Sequence, residues 1–397
     1  MDKNTGTGLL LIALILGGYM WWTSKTTDAY NKERQRIQDS LRKIEAEQIY
    51  EEIKQAETVP DTLEQSRLKN IAVENLGKQM ASSLEGTEEL YTVENDKLIL
   101  TFSNRGGRIW SVEFKEYQNY NDFKDNNKRP LKMFYGDANN FSMKLRTNTQ
   151  DITTSNFYFK PSIQDKNLSV TSDSLNVPFR LYADSVSYIE FVYTVYRDKY
   201  NVGLDINFAG MDKFLDPRAT TVDMNWKLNF SQQEKGFTNE NNYTNIAYKY
   251  PGETSIDDIS GSGSSASEDI RTKLEWINFK QHFFSAIIYT NGSLNNKLKF
   301  VSYDENNPDK LLKTIEADFQ MEFDSRRNSS IPLEFYFLPN HFGTLRSYGH
   351  SFEKIIPLGG SIIGIINRLV VIPVVNFLQK YIGSFGLVIL ILTLIIK

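Results

Sequence analysis

The sequence has 397 residues, with 45 Lys and Arg against 49 Asp and Glu, and a formal net charge of −4. This length predicts two or three domains, and this charge balance does not predict a surface for nucleic acid. The absence of cysteine excludes disulfides, thiol catalysis and cysteine-ligated metals.

The first predicted element is a transmembrane signal anchor over residues 4–24. This segment carries no charge, and its 21 residues are long enough for one spanning helix. Tyr19, Trp21 and Trp22 lie near its end, where aromatic rings favour the headgroup layer. A cleaved signal peptide is the alternative, but bulky residues occupy the place of a small-residue cleavage site.

The positive charges around this segment favour a cytoplasmic location for the domain that follows. Lys3 precedes the segment, whereas four basic residues follow it, namely Lys25, Lys32, Arg34 and Arg36. Long domains can cross a membrane despite such charges, so the charge count does not decide the location by itself.

Residues 25–88 are predicted to form a helical stalk and a linker. Residues 28–57 mix acidic and basic side chains without Gly or Pro. Within them Ile37, Leu41 and Ile44 recur at spacings of four and three, which indicates a solvated helix with one narrow apolar stripe. The polar residues 60–88 then connect this stalk to the next domain.

Residues 89–340 are predicted to form a large antiparallel β-sandwich. Apolar and polar residues alternate most clearly in "NVGLDINF" (201–208), "TTVDMNWKLNF" (220–230) and "TIEADFQMEFD" (314–324). Such alternation is typical of antiparallel strands with one solvated face, and no helix-length pattern intervenes to make a parallel sheet. The inward-facing residues are predicted to be Val202, Leu204, Ile206, Phe208, Val222, Met224, Trp226, Leu228, Phe230, Ile315, Ala317, Phe319, Met321 and Phe323.

Two connections are predicted inside this domain. The sequence "NRGGR" (104–108) lies between two strand-like segments and predicts the Gly-Gly turn of a hairpin rather than a phosphate loop. Residues 250–270 are rich in Gly, Ser and Asp, a composition that predicts a long mobile loop.

The same domain offers no catalytic constellation, and the sequence predicts no catalytic residue, metal site or cofactor. The three histidines, His282, His341 and His350, are far apart and lack metal-ligand spacing. An acidic stripe at Glu316, Asp318 and Glu322 could contain a glycosidase pair, but a solvated strand face needs such residues anyway.

Residues 341–382 are predicted to form an amphipathic interfacial helix region. At 100° per residue, Ser361, Gly364, Arg368, Asn376 and Gln379 fall within about 120° of one another, with Asn367 as the exception. Arginine in the middle of a spanning helix would cost a few kcal/mol, whereas a helix lying in the interface keeps its polar side in water.

Residues 383–397 are predicted to begin a second transmembrane helix. This segment has no charge until Lys397. Fourteen helical residues span about 21 Å of a hydrocarbon core of about 30 Å, which favours a fragment of a longer chain. A buried core helix is the alternative.

This order of elements resembles that of the YidC membrane-protein insertases of Gram-negative bacteria. Local matches are "VENDKLILTFSNRGG" (93–107), "LEWINFKQHFFSA" (274–286), "FYFLP" (335–339) and "GLVILILTLIIK" (386–397). The resemblance covers the whole sequence, but the family continues with four more membrane helices and a cytoplasmic hairpin. It implies a periplasmic supersandwich similar to galactose mutarotase, on a chain located in the bacterial inner membrane.

The resemblance also implies a role for Lys397. In the family this position is usually arginine and faces a water-filled groove that receives incoming segments. Lysine keeps the charge but loses the planar fork that grips a carboxylate with two hydrogen bonds. The alternative is a lysine that only extends to the surface at the end of a membrane helix.

The function implied is that of a non-enzymatic insertase and chaperone, which passes hydrophobic segments into the bilayer alone or with the Sec translocon. The implied partners are nascent membrane-protein segments, the Sec translocon with its accessory proteins, and the lipid bilayer. No nucleic acid is expected to bind directly, and any ribosome contact would use parts beyond Lys397. Two alternatives stay open: a membrane-anchored carbohydrate-binding or carbohydrate-active sandwich, and a scaffold that docks Sec accessory proteins.

Overall fold

The computed structural model describes residues 71–359 and 361–396. The predicted anchor at 4–24 and the predicted stalk helix at 28–57 lie outside the described residues. All strands in the described part of the chain lie between Leu90 and Pro339.

The strands, in chain order, are β1 (Leu90–Glu94), β2 (Leu98–Ser103), β3 (Arg108–Phe114), β4 (Leu131–Tyr135), β5 (Asn140–Arg146), β6 (Asp151–Thr153), β7 (Lys160–Pro161), β8 (Asn167–Ser169), β9 (Ser174–Tyr182), β10 (Tyr188–Tyr196), β11 (Asn201–Ala209), β12 (Thr221–Ser231), β13 (Asn245–Lys249), β14 (Asp257–Ile259), β15 (Ser265–Ile270), β16 (Leu274–Lys280), β17 (Phe284–Ser302), β18 (Leu311–Glu322) and β19 (Ser329–Pro339). The helices are α1 (Lys78–Ser82), α2 (Tyr120–Lys124), α3 (Phe237–Tyr243), α4 (Phe342–Ser347), α5 (Ser361–Ile366), α6 (Ile372–Gln379) and α7 (Phe385–Ile396). A π-helical segment, Asn367–Val371, lies between α5 and α6, and 3-10 turns occur at Thr154–Asn156, Met211–Lys213 and Phe352–Ile355.

The first sheet has five strands in the order β4-β3-β2-β1-β8. The β2–β3 hairpin turns at Gly106 and Gly107, whose φ angles of 76° and 61° suit glycine. The predicted hairpin at 104–108 is therefore confirmed. Strand β8 pairs with β1 in parallel, an exception to the otherwise antiparallel pairings of the described strands.

The second sheet folds over on itself because strand β17 belongs to two layers. Its first half pairs with β16 and β19, and its second half pairs with β15 and β18. Between the halves, Asn291, Gly292 and Asn295 adopt positive φ angles, which interrupt the regular pleat. We call β7, β9, β10, β11, β19, β16, β13, β14 and the first half of β17 the broad layer, and β6, β5, β12, β18, β15 and the second half of β17 the narrow layer.

The core has the broad layer on one side. On its other side lie the narrow layer and the five-stranded sheet. Phe141 of the narrow layer meets Phe335 of the broad layer edge to face, with ring centroids 5.3 Å apart. Phe102 of the five-stranded sheet meets Tyr193 of the broad layer at 4.9 Å. The inward residues predicted for 201–208, 220–230 and 314–324 are all buried. The prediction of a mainly β, antiparallel sandwich is thereby confirmed.

The prediction of a mobile loop at 250–270 is wrong. Strands β14 and β15 lie in this stretch, and β15 pairs with β17 from Ser265 to Ile270. Of these six residues only Ile270 is buried, because β15 lies at an edge of the narrow layer and exposes most of its side chains. An edge strand that is polar on both faces shows no alternation for sequence analysis to detect.

Candidate functional site

The chain leaves the sandwich through a short connection, residues 342–355, that packs against it. Helix α4 and the following 3-10 turn bury Leu345, Phe352 and Ile355. The indole Nε1 of Trp276 donates a hydrogen bond of 3.0 Å to the backbone oxygen of His350. The connection is therefore held to the sandwich by both apolar burial and hydrogen bonding.

The helical segment 361–379 exposes apolar side chains along its whole length. These side chains are Ile363, Ile365, Ile366, Leu369, Val370 and Phe377. Arg368, Asn376 and Gln379 on the same segment are also exposed. Contiguous exposed apolar surface of this kind marks a contact with a membrane or with another protein.

The assumption of a uniform α-helical rotation over this segment is wrong. Residues Asn367–Val371 form a π-helix, whose turns hold more residues than α-turns, just before Pro373 enters α6. Proline lacks the N–H that a continuous α-helix would use, and a π-turn is a common accommodation. Asn367, the exception to the predicted polar side, donates from Nδ2 to the backbone oxygen of Leu358 at 2.8 Å and so secures the start of the segment.

Helix α7 is apolar and short. Its 12 residues would extend about 18 Å. Leu387, Leu390 and Leu394 are exposed. None of the helices in the described ranges combines the length and the apolar character that a membrane crossing requires. Lys397, the one site residue predicted from the sequence, lies outside the described residues.

A polar cleft crosses the outer face of the narrow layer. Two adjoining cavities of about 490 and 440 Å³ make up this cleft and share Asn140, Ser155 and Asn225 as lining residues. The outward residues of β5, β12 and β18 form its floor, because alternate strand positions face away from the core. Glu316 and Asp318 of the predicted acidic stripe lie here, whereas Glu322 stands further along β18.

Hydrogen bonds and an ion pair engage the two carboxylates of the cleft floor. Asn225 donates from Nδ2 to Glu316 Oε1 and to Asp318 Oδ1, both at 2.7 Å. Asn140 in turn donates to Asn225 Oδ1 at 2.9 Å, and Lys299 pairs with Glu316 at 3.2 Å. Carboxylates held in this way stabilise the strand pairing and give no sign of separate acid and base roles.

Each of the three histidines has its own structural contact. His282 Nδ1 lies 2.8 Å from Glu234 Oε1, and His350 Nδ1 lies 3.5 Å from Glu275 Oε1. His341 caps α4. None of them lines the polar cleft. Within the described residues no group of three or more side chains is placed to hold a metal ion.

Among the buried charged side chains of the described residues, Lys313 and Glu240 were not anticipated from the sequence and have pKa values that burial shifts. Lys313, fully buried in β18, donates from Nζ to the backbone oxygens of Asn241, Thr244 and Gly261 at 2.9, 2.5 and 2.5 Å. Burial lowers its pKa to about 8. Glu240 on α3 is 1% exposed, and burial raises its pKa to about 7. Lys313 continues the inward-facing series of Ile315 and Ala317 in β18, so the alternation predicts its position although a lysine is not expected in a core.

The sequence matches the family of the YidC periplasmic domain over residues 90–372. Three relatives named membrane protein insertase YidC match the whole of this chain. The protein from Parabacteroides distasonis is 33% identical, and those from Porphyromonas gingivalis and Phocaeicola vulgatus are each 30% identical. The matches cover 62%, 62% and 61% of these relatives, so the chain spans about six tenths of their length.

Solved structures with a similar course of the chain are galactose mutarotase-like proteins. A galactose mutarotase related enzyme from Lactobacillus acidophilus covers 63% of this chain and 97% of its own, with 9% identity and a TM-score of 0.38. A galactose mutarotase-like protein from Lactobacillus casei covers 63% and 100%, with 10% identity and a TM-score of 0.39. Similarity at this level carries no argument about activity.

The family match extends over more than two thirds of the residues and includes the whole sandwich, the connection and most of the exposed helical segment. The resemblance seen in the sequence is confirmed by this match and by the three relatives. The chain belongs to the YidC family of membrane protein insertases.

Proposed function

We propose that the protein carrying this chain is a membrane insertase and chaperone that passes hydrophobic segments into the bacterial inner membrane, alone or with the Sec translocon. The observation that carries the proposal is the family match over residues 90–372. No bond is made or broken in this activity, and no cofactor is needed.

The exposed apolar helical segment supports a location at the membrane. Residues 363–377 present several large apolar side chains to solvent, while Arg368, Asn376 and Gln379 give the same segment a polar component. A helix of this composition gains free energy by lying at the boundary between headgroups and acyl chains. Since the connection 342–355 ties this segment to the sandwich, the large domain would sit close to the same membrane surface.

We place the sandwich in the periplasm and assign residues 4–24 as the anchor that precedes it. The charge count around the anchor favours the opposite side. Long domains can cross regardless of flanking charge, and the match is to a domain described as periplasmic. Labelling of a cysteine placed in the sandwich decides between the two orientations.

Insertion itself would depend on Lys397 as the charged residue of a water-filled groove. A polar groove shortens the distance that a polar tail must travel through hydrocarbon and so lowers a desolvation barrier. The charge of Lys397 would attract acidic residues in the tail being moved. The segments moved, the Sec translocon and its accessory proteins are the partners in this proposal.

The proposal is tested by replacing the resident insertase in a depletion strain with the protein carrying this chain. Single-span substrates are followed by protease protection from the periplasmic side. We expect restored growth and restored insertion. Failure of both, with normal amounts of the protein in the membrane, would contradict the proposal.

A further inference from the structure

A second cavity lies at the junction between the sandwich and the connection to the helical segment. It measures about 370 Å³ and lies away from the polar cleft, with no lining residue in common. Its walls come from the C-terminal end of α3, from the β14-β13-β16 edge of the broad layer, from Lys354 and Ile355 at the end of the connection, and from Pro357 just after it. We call it the junction cavity.

Strand pairing brings polar residues together on one wall of the junction cavity. Lys280 of β16 stands opposite Asn245 of β13, and Asp258 of β14 stands opposite Ala247 of β13. Because residues two apart on a strand share a face, Asn245 and Ala247 point to the same side. Lys280, Asn245 and Asp258 therefore line one surface, although they are up to 35 positions apart in the sequence.

The charges at this cavity are unbalanced towards the positive. Lys280 and Lys354 contribute two ammonium groups, against one carboxylate from Asp258. In the described part of the chain, neither lysine forms an ion pair within 4.0 Å. Burial lowers the pKa of Lys280, and the charge of Asp258 acts in the opposite direction. A partly buried cation without an ion pair is stabilised when an anion binds beside it.

The same wall carries a buried acceptor without a donor. Asn245 Oδ1 is buried and has no hydrogen-bond partner among the described residues. Its amide nitrogen lies 3.3 Å from Asp258 Oδ2. Leaving a buried acceptor unpaired costs about 1–3 kcal/mol. The exposed carboxylate of Asp258 is the acceptor that a ligand in the cavity can reach.

The remaining lining of the cavity is apolar and points to a membrane ligand. Ile256, Ile355 and Pro357 contribute this lining. Pro357 lies four residues before the start of α5 at Ser361, where the exposed apolar helices begin. The cavity thus combines two cations, a hydrogen-bond acceptor and apolar walls at the point where the chain continues towards the membrane surface.

We propose that the junction cavity binds the headgroup of a bilayer phospholipid. The phosphate lies between the ammonium groups of Lys280 and Lys354, and a hydroxyl or ammonium group of the headgroup donates to Asp258. The glycerol and upper acyl carbons contact the apolar lining. This inference rests on the proposed function only in that the helical segment lies at the membrane surface, which brings the cavity to the level of the headgroups.

The test uses the whole chain in micelles of an uncharged maltoside. Because the sequence has no cysteine, Ser262→Cys provides one attachment point for an environment-sensitive fluorophore beside the exposed cavity rim. The labelled protein is titrated with dihexanoylphosphatidylglycerol, with glycerol 3-phosphate and with inorganic phosphate. We expect a saturable fluorescence change with the short-chain lipid and weaker binding of the two lipid-free phosphates.

Lysine variants decide whether the junction cavity is the site. Lys280→Gln and Lys354→Gln should each weaken lipid binding about tenfold, since each removes one charged partner of the phosphate. Lys354 lies in a short 3-10 turn, so its variant tests the site even where Lys280→Gln disturbs the strand pairing. The control is Lys213→Gln in the 3-10 turn that follows β11, since Lys213 does not line the junction cavity. This variant should bind lipid like the wild type.

Three results would overturn the inference: no saturable change in the wild type, wild-type affinity in both lysine variants, or inorganic phosphate bound as tightly as the lipid. Flotation with vesicles of phosphatidylethanolamine and phosphatidylglycerol separates this failure from failure of the proposed function. If the chain floats but the junction cavity does not bind lipid, the proposed lipid site is wrong and the proposed function stands. A chain that does not float contradicts the proposed membrane location, and the inference with it.

Discussion

The indole of Trp226 stacks on the ring of Phe279, with centroids 4.0 Å apart and planes inclined by 14°. Trp226 belongs to the narrow layer and Phe279 to the broad layer, so this contact joins the two layers across the core. Both side chains are almost fully buried. The sandwich therefore depends on a pair of residues 53 positions apart, on strands that are not hydrogen-bonded to each other.

We expect Trp226→Ala to destabilise the sandwich by about 3–5 kcal/mol, because it leaves a large cavity between the layers. Urea unfolding of the segment 71–359, followed by circular dichroism, measures this change. Trp110→Ala is the control, since Trp110 is only partly buried and should cost much less. A similar loss of stability in both variants would show that the contact between the layers stabilises the sandwich no more than a partly buried tryptophan does.

The sandwich should fold without the anchor or the exposed helices. Segments 91–340 and 71–359 should both give a β-type circular dichroism spectrum and melt cooperatively. The longer segment should melt at the higher temperature, because it adds Met80 and Phe352, which are 1% and 0% exposed. A mainly helical or disordered spectrum would contradict the fold assignment.

Strands with one buried face could be recognised from the sequence, and edge or irregular strands could not. Trp226 and Phe319 stand in runs of strict alternation, so the local pattern alone determines which face they occupy. Strand β15 is polar on both sides, and β17 bends at Gly292 between two layers. The physical determinant of these strands is which neighbours they pair with, and that information is not local.

Functional positions were even less accessible to sequence analysis. The junction cavity needs Lys280, Asn245 and Lys354 together, and only the β13–β16 pairing and the folded connection bring them close. Residues that are brought together in this way have no fixed spacing in the sequence by which they could be recognised. Lys397, by contrast, could be named from the sequence because a lone charge after an apolar run is a local feature.

Glu240 should make the stability of the sandwich depend on pH between about 4.5 and 7. Its pKa in the folded state is raised to about 7 from an ordinary value of 4.5, mainly by burial, with the nearby charge of Glu234 adding to the effect. The folded state therefore binds more protons in this range. Its contribution to stability is fully present below pH 4.5 and is lost as the pH rises through 7, by about 3 kcal/mol at most.

Urea unfolding of segment 71–359 at several pH values tests this dependence. Glu240→Gln should remove the decline between pH 5 and 7, while the exposed Glu253→Gln should leave it unchanged. The hydrogen bonds that Glu240 accepts from the backbone N–H of Gln233 and Glu234 can still be accepted by glutamine. The same decline in wild type and Glu240→Gln would assign the effect to other groups.

The location of the sandwich can be measured by cysteine labelling. Ser255→Cys places a thiol on an exposed turn between β13 and β14 in a chain without native cysteine. A membrane-impermeant maleimide should label it in intact cells with a permeabilised outer membrane. Labelling only after lysis of the inner membrane would place the sandwich in the cytoplasm, in agreement with the charges around residues 4–24.

Variants of Lys397 should show whether insertion depends on the charge of this side chain or only on its length. Lys397→Arg should be tolerated because the charge is kept, and Lys397→Ala should be intermediate. Lys397→Glu should impair insertion of acidic tails most, since attraction becomes repulsion of about 1–4 kcal/mol at 4 Å, depending on the effective dielectric. Growth of a depletion strain that carries each variant gives the first comparison. Equal growth with all variants would favour a lysine that only extends to the membrane surface.

The most direct test of the account is insertion into liposomes that contain the purified protein carrying this chain. Two single-span substrates, one with an acidic tail and one with a neutral tail, are added, and protease-protected fragments are counted. The account predicts protection of both by the wild type, and selective loss of the acidic-tailed substrate with Lys397→Glu. Equal protection in empty liposomes and in liposomes with the wild-type protein would contradict the insertase function itself.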